Sequence, residues 1–214
     1  MKSSQNQSNM QQIFVTGIST EVGKTIAAAI ITESLEADYW KPIQAGDLDH
    51  SDSHKIEELI SNKKTKIHKS SYELQTPMSP HAAADIDGIR IDTRNIVAPK
   101  TNNHLVIEGA GGLLVPLNDN DTILDIIMPN YKVIIVSRHY LGSINHTLLT
   151  VNWLKQKGYD VSLLFSGDEH PTTEEIILYK TEVPLLGRID EEPIFNKEIV
   201  QKYAEQFRSA LQSL

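Results

Sequence analysis

The sequence predicts an α/β fold with a mostly parallel central sheet and helices on both faces. Three observations carry that prediction. Short apolar runs alternate with helical patterns along the chain. The run Phe14-Val15-Thr16-Gly17-Ile18-Ser19-Thr20-Glu21-Val22-Gly23-Lys24-Thr25 passes from an apolar strand through a glycine loop to Lys-Thr at a helix start. A second apolar run, His104-Leu105-Val106-Ile107, leads directly into Glu108-Gly109-Ala110-Gly111-Gly112. Alternation of this kind implies parallel strands covered on both sides. Ligands of such sheets bind at the carboxyl ends of the strands.

The elements follow in order. Residues 13–16 read as a strand. A helix over 23–35 buries Ala27, Ala28, Ile30, Ile31 and Leu35. Residues 39–41 form a short strand stopped by Pro42. Ser51-Asp52-Ser53 reads as an N-cap region ahead of Ile56, Leu59 and Ile60. The stretch 63–87 is polar and reads as irregular, and 91–98 reads as a helix. Strands are expected at 104–107, 132–137 and 161–165, with a helix over 143–157 and a short apolar run at 183–186. A last helix, about 196–211, carries Ile199, Tyr203, Phe207 and Leu211 four residues apart, a core-facing stripe.

The chain has 214 residues, enough for one α/β domain with a substantial core. Residues 1–12 read as a disordered extension, because the first ten are rich in Ser, Asn and Gln and lack the apolar segment of a secretory signal. Residues 13–214 are the domain. Twenty Lys and Arg against 28 Asp and Glu leave a net charge of −8. That balance argues against non-specific binding to nucleic acid or to an anionic membrane. No apolar run approaches the length of a membrane span. Cysteine is absent, which excludes disulfides, thiol catalysis and thiolate metal sites. It suits a reducing, cytoplasmic location.

The Gly17–Thr25 loop has the residues of a phosphate cradle. Backbone N–H groups of the loop and helix start face the anion, Lys24 neutralises it, and the Thr25 hydroxyl suits Mg²⁺. The loop is one residue longer than the common Gly-x-x-x-x-Gly-Lys spacing. Glu108, at a strand end beside that loop, is placed for a second Mg²⁺ ligand, or is a plain turn acid. Gly109-Ala110-Gly111-Gly112 is a poor dinucleotide loop, since its third glycine would fall at Leu114. Lys41, beside Pro42, is placed either to hold developing negative charge or as a surface lysine. Asp52 is a helix cap or a metal ligand. His81 and His146 lack zinc-site spacing, and no Gly-x-Ser-x-Gly elbow is present.

Together these segments resemble the dethiobiotin synthetase family, within the P-loop NTPase-like class of single-domain folds. Five landmarks stand in the family's order: the loop at 14–25, Lys-Pro-Ile-Gln-Ala-Gly at 41–46, Ser-Pro-His at 79–81, Val-Ile-Glu-Gly-Ala-Gly-Gly at 106–112 and Leu-Gly-Ser-Ile-Asn-His at 141–146. Pro184-Leu185-Leu186-Gly187 also fits. The long phosphate loop is itself a family trait. The resemblance implies a reaction of 7,8-diaminononanoate (diaminopelargonate) with CO₂ or bicarbonate and ATP. One amine captures CO₂ as a carbamate, ATP phosphorylates it to a mixed anhydride, and the second amine closes the ring to dethiobiotin, releasing ADP and phosphate.

The resemblance also implies roles. Glu21, Val22, Gly23, Lys24, Thr25 and Ile26 would hold the nucleotide phosphates. Thr25, Asp52 and Glu108 would ligate Mg²⁺. Lys24 and Lys41 would stabilise charge on the phosphoryl group and the carbamate, with Thr20 close by. Gly109, Ala110 and Gly111 would add backbone contacts to nucleotide or substrate, and Ala45 would lie against the substrate. Gly142, Ser143, Ile144 and Asn145, opening a helix, would receive the substrate carboxylate from a neighbouring subunit, which implies a homodimer with its sites at the interface.

Three departures from the family pattern stand out. Ala45 replaces a frequent Ser. The adenine-reading Asn-Asp pair falls at Gly167-Asp168, and glycine cannot read a base edge as an amide does. A Pro-aromatic stretch falls near Asp190-Glu191-Glu192. These leave room for other nucleoside triphosphates in place of ATP. A competing reading is a nucleotide switch of the partitioning type, but Gly17-Ile18-Ser19-Thr20 lacks the early lysine usual in those loops. An amide or cobyrinate-type synthase would need a glutaminase cysteine that this chain lacks.

Overall fold

The chain enters the sheet at its centre. The structure, a computed structural model, describes residues 10–214. Strand β1 (Gln12–Gly17) leads through the glycine loop into α1 (Lys24–Leu35), then to β2 (Asp38–Trp40). Short β3 (Ile43–Ala45), α2 (Asp52–Leu59), β4 (Ile67–His68), β5 (Tyr72–Leu74) and α3 (Pro80–Ile86) follow. Then come β6 (Leu105–Gly112), β7 (Lys132–Arg138), α4 (Ser143–Gln156) and β8 (Asp160–Ser166). The described chain closes with α5 (Pro171–Thr181), β9 (Leu185–Ile189) and α6 (Lys197–Gln212).

Seven strands pair in the order β4-β2-β6-β1-β7-β8-β9, and every pairing is parallel. The central strands are buried on both faces, which is why they read as unbroken apolar runs. From β1 the chain crosses by α1 towards β2, on one side. From β7 it crosses by α4 towards β8, on the other. Right-handed crossovers running in opposite directions put α1 and α4 on opposite faces. On one face α1 packs against α6, and the Ser34 hydroxyl donates to the Ala204 carbonyl (2.8 Å). On the other, α4 packs against α5.

The sequence expectations need several corrections. Of the proposed extension, residues 1–9 lie outside the described residues, and Gln12 is already part of β1. The stretch 63–87 is not wholly irregular. It contains β4, β5 and α3, the last opened by Pro80 at its first position. Strands of two or three residues are too short to show a period, and β3 pairs with β5 as a separate two-stranded ribbon. The helix expected over 91–98 is only one 3-10 turn, Thr93–Asn95, capped by the Asp92 side chain. Its buried residues Ile91 and Ile96 are five apart and share no helical face, and Pro99 disfavours helical backbone at Ala98. Helix α5, with few apolar residues, had no expectation attached. In α6 the buried stripe is Val200, Tyr203, Ala204, Phe207 and Leu211, with Ile199 at its margin.

Gly187 in β9 meets the Phe207 ring so closely that a Cβ would come within 2.5 Å of a ring carbon, and its φ is +146°. Gly187→Ala should therefore destabilise the fold by about 2–4 kcal/mol, from overpacking and backbone strain together. A lower urea midpoint with an unchanged m-value checks this.

Candidate active site

The site grows from the register of two strands. β2 pairs with β6 so that Trp40 lies beside Ile107. The next residues, Lys41 and Glu108, therefore come together at the carboxyl edge, and Lys41 Nζ donates to Glu108 Oε1 at 3.1 Å. Lys41 also pairs with Asp52 at the start of α2. Ser51 takes the cap of that helix. Its Oγ accepts the His54 N–H while its own N–H donates to His54 Nδ1. Asp52 is thus free to turn inward, where Lys55 also reaches it at 3.2 Å.

Glu108 gathers the other groups. The Thr25 hydroxyl donates to its Oε1 (2.8 Å), and the Tyr39 hydroxyl donates to its Oε2 (2.8 Å). Tyr39 and Lys41 are two apart on an extended chain and so face the same way. Lys41 and Glu108 are buried, at 6% and 1% exposure. An uncompensated charge in that position would be strongly unfavourable, so each charge requires the other. Burial lowers the affinity of Lys41 for its proton, but Glu108 and Asp52 outweigh it and the pKa is raised. For Asp52 burial opposes ionisation, and Lys41 with Lys55 outweighs it, so its pKa is lowered. Burial and the facing Glu108 carboxylate push the Tyr39 hydroxyl well above its usual value.

The glycine loop completes the site. Gly23 caps α1 with φ +87°, and a Cβ there would lie 2.8 Å from Ser166 Oγ. Glu21 carries the cost of a positive φ of 54° in the same loop. No side chain caps α1, and no acid stands in its first turn, so its first N–H groups are open to an anion. Lys24 folds back, its Nζ donating to the Ser19 carbonyl at 2.9 Å. Burial, aided by Lys41 and opposed by Glu108 and Asp52, lowers its pKa to about 8.

These groups open on a cleft of about 650 Å³. Of the residues expected from sequence, Thr20, Glu21, Gly23, Lys24, Thr25, Ile26, Lys41, Ala45, Asp52, Glu108, Ala110 and Gly111 line it. Val22 does not; it is buried in the core. Nor does Gly109, whose Cα faces the Phe14 ring instead. Gly142, Ser143, Ile144 and Asn145 also lie off this cleft. Helix α4 borders a neighbouring apolar hollow, formed by Ile18, Leu113, Val115, Leu149 and Trp153. Sequence reasoning missed Tyr39, Lys55 and Gln44 as site residues. The signal for Tyr39 was its two-residue spacing from Lys41. Gln44 accepts the Asp52 N–H at 3.3 Å, a contact that no local pattern announces.

The donor set fits Mg²⁺. Two carboxylates and a hydroxyl converge, all hard oxygen ligands, and a cationic ammonium already lies between the carboxylates. No group of three or more His, Cys, Asp or Glu suited to a metal occurs among the described residues.

The end of β8, beyond the loop, is differently built. Gly167 follows β8, and its N–H donates to the Ile189 carbonyl. A Cβ on it would lie 3.7 Å from both the Arg138 guanidinium and the Glu191 carboxylate, which pair with each other at 2.6 Å. Arg188 nearby is paired with Glu169, Glu174 and Asp190.

A glycine loop between a central parallel strand and a helix, facing a lysine and two carboxylates at the carboxyl edge, defines a P-loop nucleotide-binding protein. Comparison with known proteins agrees: a family model described as an AAA domain matches residues 11–198. The chain is 58% identical over 199 residues to the ATP-dependent dethiobiotin synthetase BioD of Christiangramia forsetii, covering 92% of this chain and 96% of that one. It is 46% identical to the Cytophaga hutchinsonii protein of the same name (91% and 96% covered) and 41% identical to that of Chlamydia pneumoniae (93% and 90%). The chain belongs to the ATP-dependent dethiobiotin synthetase family. Solved structures with the same fold include a plasmid partition protein from Borrelia burgdorferi (TM-score 0.61, 15% identity, 96% and 99% covered) and the MinC:MinD cell division complex of Aquifex aeolicus (TM-score 0.58, 14% identity, 94% and 96% covered). At that identity they share the fold alone.

The lowered pKa of Lys24 has two consequences of opposite sign. Below about pH 8 the ammonium is charged and suits a phosphate; above it the charge is lost. Triphosphate binding should weaken as pH rises through 8, with proton uptake on binding near that pH. Stability goes the other way. The unfolded lysine holds its proton to higher pH, so the contribution of Lys24 to stability rises from pH 8 towards the unfolded value. Calorimetric titration of ATP in buffers of different ionisation enthalpy, with Lys24→Met as reference, measures the first effect.

Proposed function

We propose that this protein makes dethiobiotin from 7,8-diaminononanoate, CO₂ and ATP, with Mg²⁺, as a homodimer in the cytoplasm. The observation that carries the reading is the buried Lys41 bridging Asp52 and Glu108 beside the Lys24–Thr25 loop. Phosphoryl transfer needs positioning and charge neutralisation rather than a covalent nucleophile, and these residues supply both. The α1 N-terminus and Lys24 hold the phosphates. Thr25, Asp52 and Glu108 would hold Mg²⁺, which would neutralise charge on the nucleotide phosphates. Once those carboxylates are engaged, the Lys41 ammonium is free to face the carbamate and the transferring phosphoryl group. Thr20, Glu21, Ile26 and the Ala110–Gly111 backbone shape the same cleft. Ala45 brings no hydroxyl to the substrate.

A second copy of the chain completes the reading. The N-terminus of α4, at Gly142, Ser143, Ile144 and Asn145, has no side-chain cap and no acid in its first turn, so it is open to a carboxylate. It lies off the cleft of its own chain, as a residue set serving a partner's site would. Around it Leu114, Leu141, Leu149 and Trp153 are exposed, an apolar surface that a second copy would cover. Among the described residues no helix is long and apolar enough to cross a membrane.

Incubation with diaminononanoate, labelled bicarbonate and ATP should give labelled dethiobiotin and an equivalent of phosphate. Lys41→Gln should lower turnover by about two to three orders of magnitude, beyond any loss of folded protein measured by circular dichroism on the same samples. A partitioning-type ATPase would hydrolyse ATP regardless of diaminononanoate and bicarbonate, and that result would displace this reading.

Base selection should be loose. The position expected to read adenine is Gly167, and the neighbouring Arg138 and Glu191 already satisfy each other. ATP, GTP and CTP should therefore support synthesis with kcat/KM values within about tenfold, less than one good bidentate base contact provides. A strong preference for ATP in the same assay removes this part of the proposal.

A further inference from the structure

Among the described residues the Tyr39 hydroxyl is the one group hydrogen-bonded to Glu108 Oε2, and we infer that Tyr39 is a positioning residue for metal binding. The inference rests on the reading of Glu108 as a Mg²⁺ ligand. Its own support is geometric. Glu108 Oε1 takes the cleft-lining Thr25 and Lys41, while among the described residues Oε2 takes the buried Tyr39 hydroxyl alone, at 2.8 Å. Tyr39 is fully buried and lies in β2 beside β6, registered on Val106. Its ring is therefore fixed by the sheet, and its hydroxyl is held at one point in space.

That arrangement does two things to the carboxylate. It fixes the rotation of the Glu108 side chain, so that Oε1 rather than Oε2 is presented to Thr25, Asp52 and Lys41. It also satisfies the buried oxygen, which would otherwise have to turn towards the cleft for a partner. The carboxylate oxygen can only accept, so the hydroxyl is the donor in this contact. Hydrogen-bond partners of metal ligands commonly account for tenfold to a hundredfold in metal affinity. Phenylalanine keeps the ring and removes only this bond.

The test is Mn²⁺ binding in the presence of a non-hydrolysable ATP analogue, read by electron paramagnetic resonance, for the wild type, Tyr39→Phe, Glu108→Gln and the double variant. Tyr39→Phe should weaken Mn²⁺ binding by about tenfold to a hundredfold. In the Glu108→Gln background the same change should cost little more, because Tyr39 acts through Glu108. Unchanged Mn²⁺ binding in Tyr39→Phe, with only a lower melting temperature, would mean that the tyrosine merely packs, and would overturn the inference. So would an equal loss of affinity in the Glu108→Gln background. The readout needs no turnover. A wild type that binds Mn²⁺ but makes no dethiobiotin would count against the proposed reaction and leave the Tyr39 result standing.

Discussion

Two charges that cannot be buried apart hold the site together: Lys41 and Glu108, at the carboxyl ends of adjacent strands. Each alone would be expensive at its depth; Asp52 adds a second negative charge, which Lys55 meets at 3.2 Å. The pairing depends on backbone register. β2 and β6 are parallel, with Tyr39 beside Val106 and Trp40 beside Ile107. A slip of β2 by one residue would turn Lys41 away from Glu108 and reverse the faces of that strand. The sheet therefore sets the chemistry, and the helices follow. Thr25 arrives on α1 and Asp52 on α2, each meeting a lysine–glutamate pair already fixed by the sheet.

The supporting contacts have a common logic, which is to free functional groups from structural tasks. Ser51 and His54 cap α2 between them, so Asp52 need not do so. Gln44 accepts the Asp52 N–H and gives its own amide to the Gly46 carbonyl, tying the turn after β3 to the start of α2. The first turn of α1 is left without a cap, although capping would stabilise the helix by about 1 kcal/mol. The loop before it holds Glu21 at positive φ. Stability is forgone at the two places where an anion is to be received, and the buried apolar strands on either side make it up.

How much of this was legible depended on the length scale of each feature. The long buried strands and α1, α4 and α6 were readable because each repeats its pattern over several residues. The phosphate loop, Lys41 and Glu108 were readable because each abuts a strand end. Residues 63–87 were not, since β4 and β5 are two or three residues long and gain their stability from neighbours remote in sequence. The stretch 91–98 misled because Ile91, Ile96 and Val97 look helical in composition but not in spacing. Asp52 was ambiguous from sequence because the identity of the cap, Ser51 or Asp52, is decided by what lies opposite, and Lys41 lies opposite. Tyr39 was hidden for a similar reason: a tyrosine in an apolar strand reads as core until its hydroxyl is seen to have a carboxylate in front of it.

The order of the strands also orients a nucleotide. The carboxylates and Lys41 lie on the β6–β2 side of β1, whereas Gly23 abuts Ser166 at the end of β8, on the other side. A triphosphate cradled by the loop would thus point its terminal phosphate towards β6 and β2 and its nucleoside towards β8 and β9. The two ends are built to different standards. At the phosphate end, buried charges are held within hydrogen-bond distance by three separate elements. Around the ends of β8 and β9, Arg138 pairs with Glu191, and Arg188 with Glu169 and Asp190, in more open ion pairs, and such pairs contribute little. For a base edge to be read there, it would have to displace a partner as well as form a bond. The well-ordered polar contacts are therefore concentrated at the β2–β6 edge, where the buried charges lie.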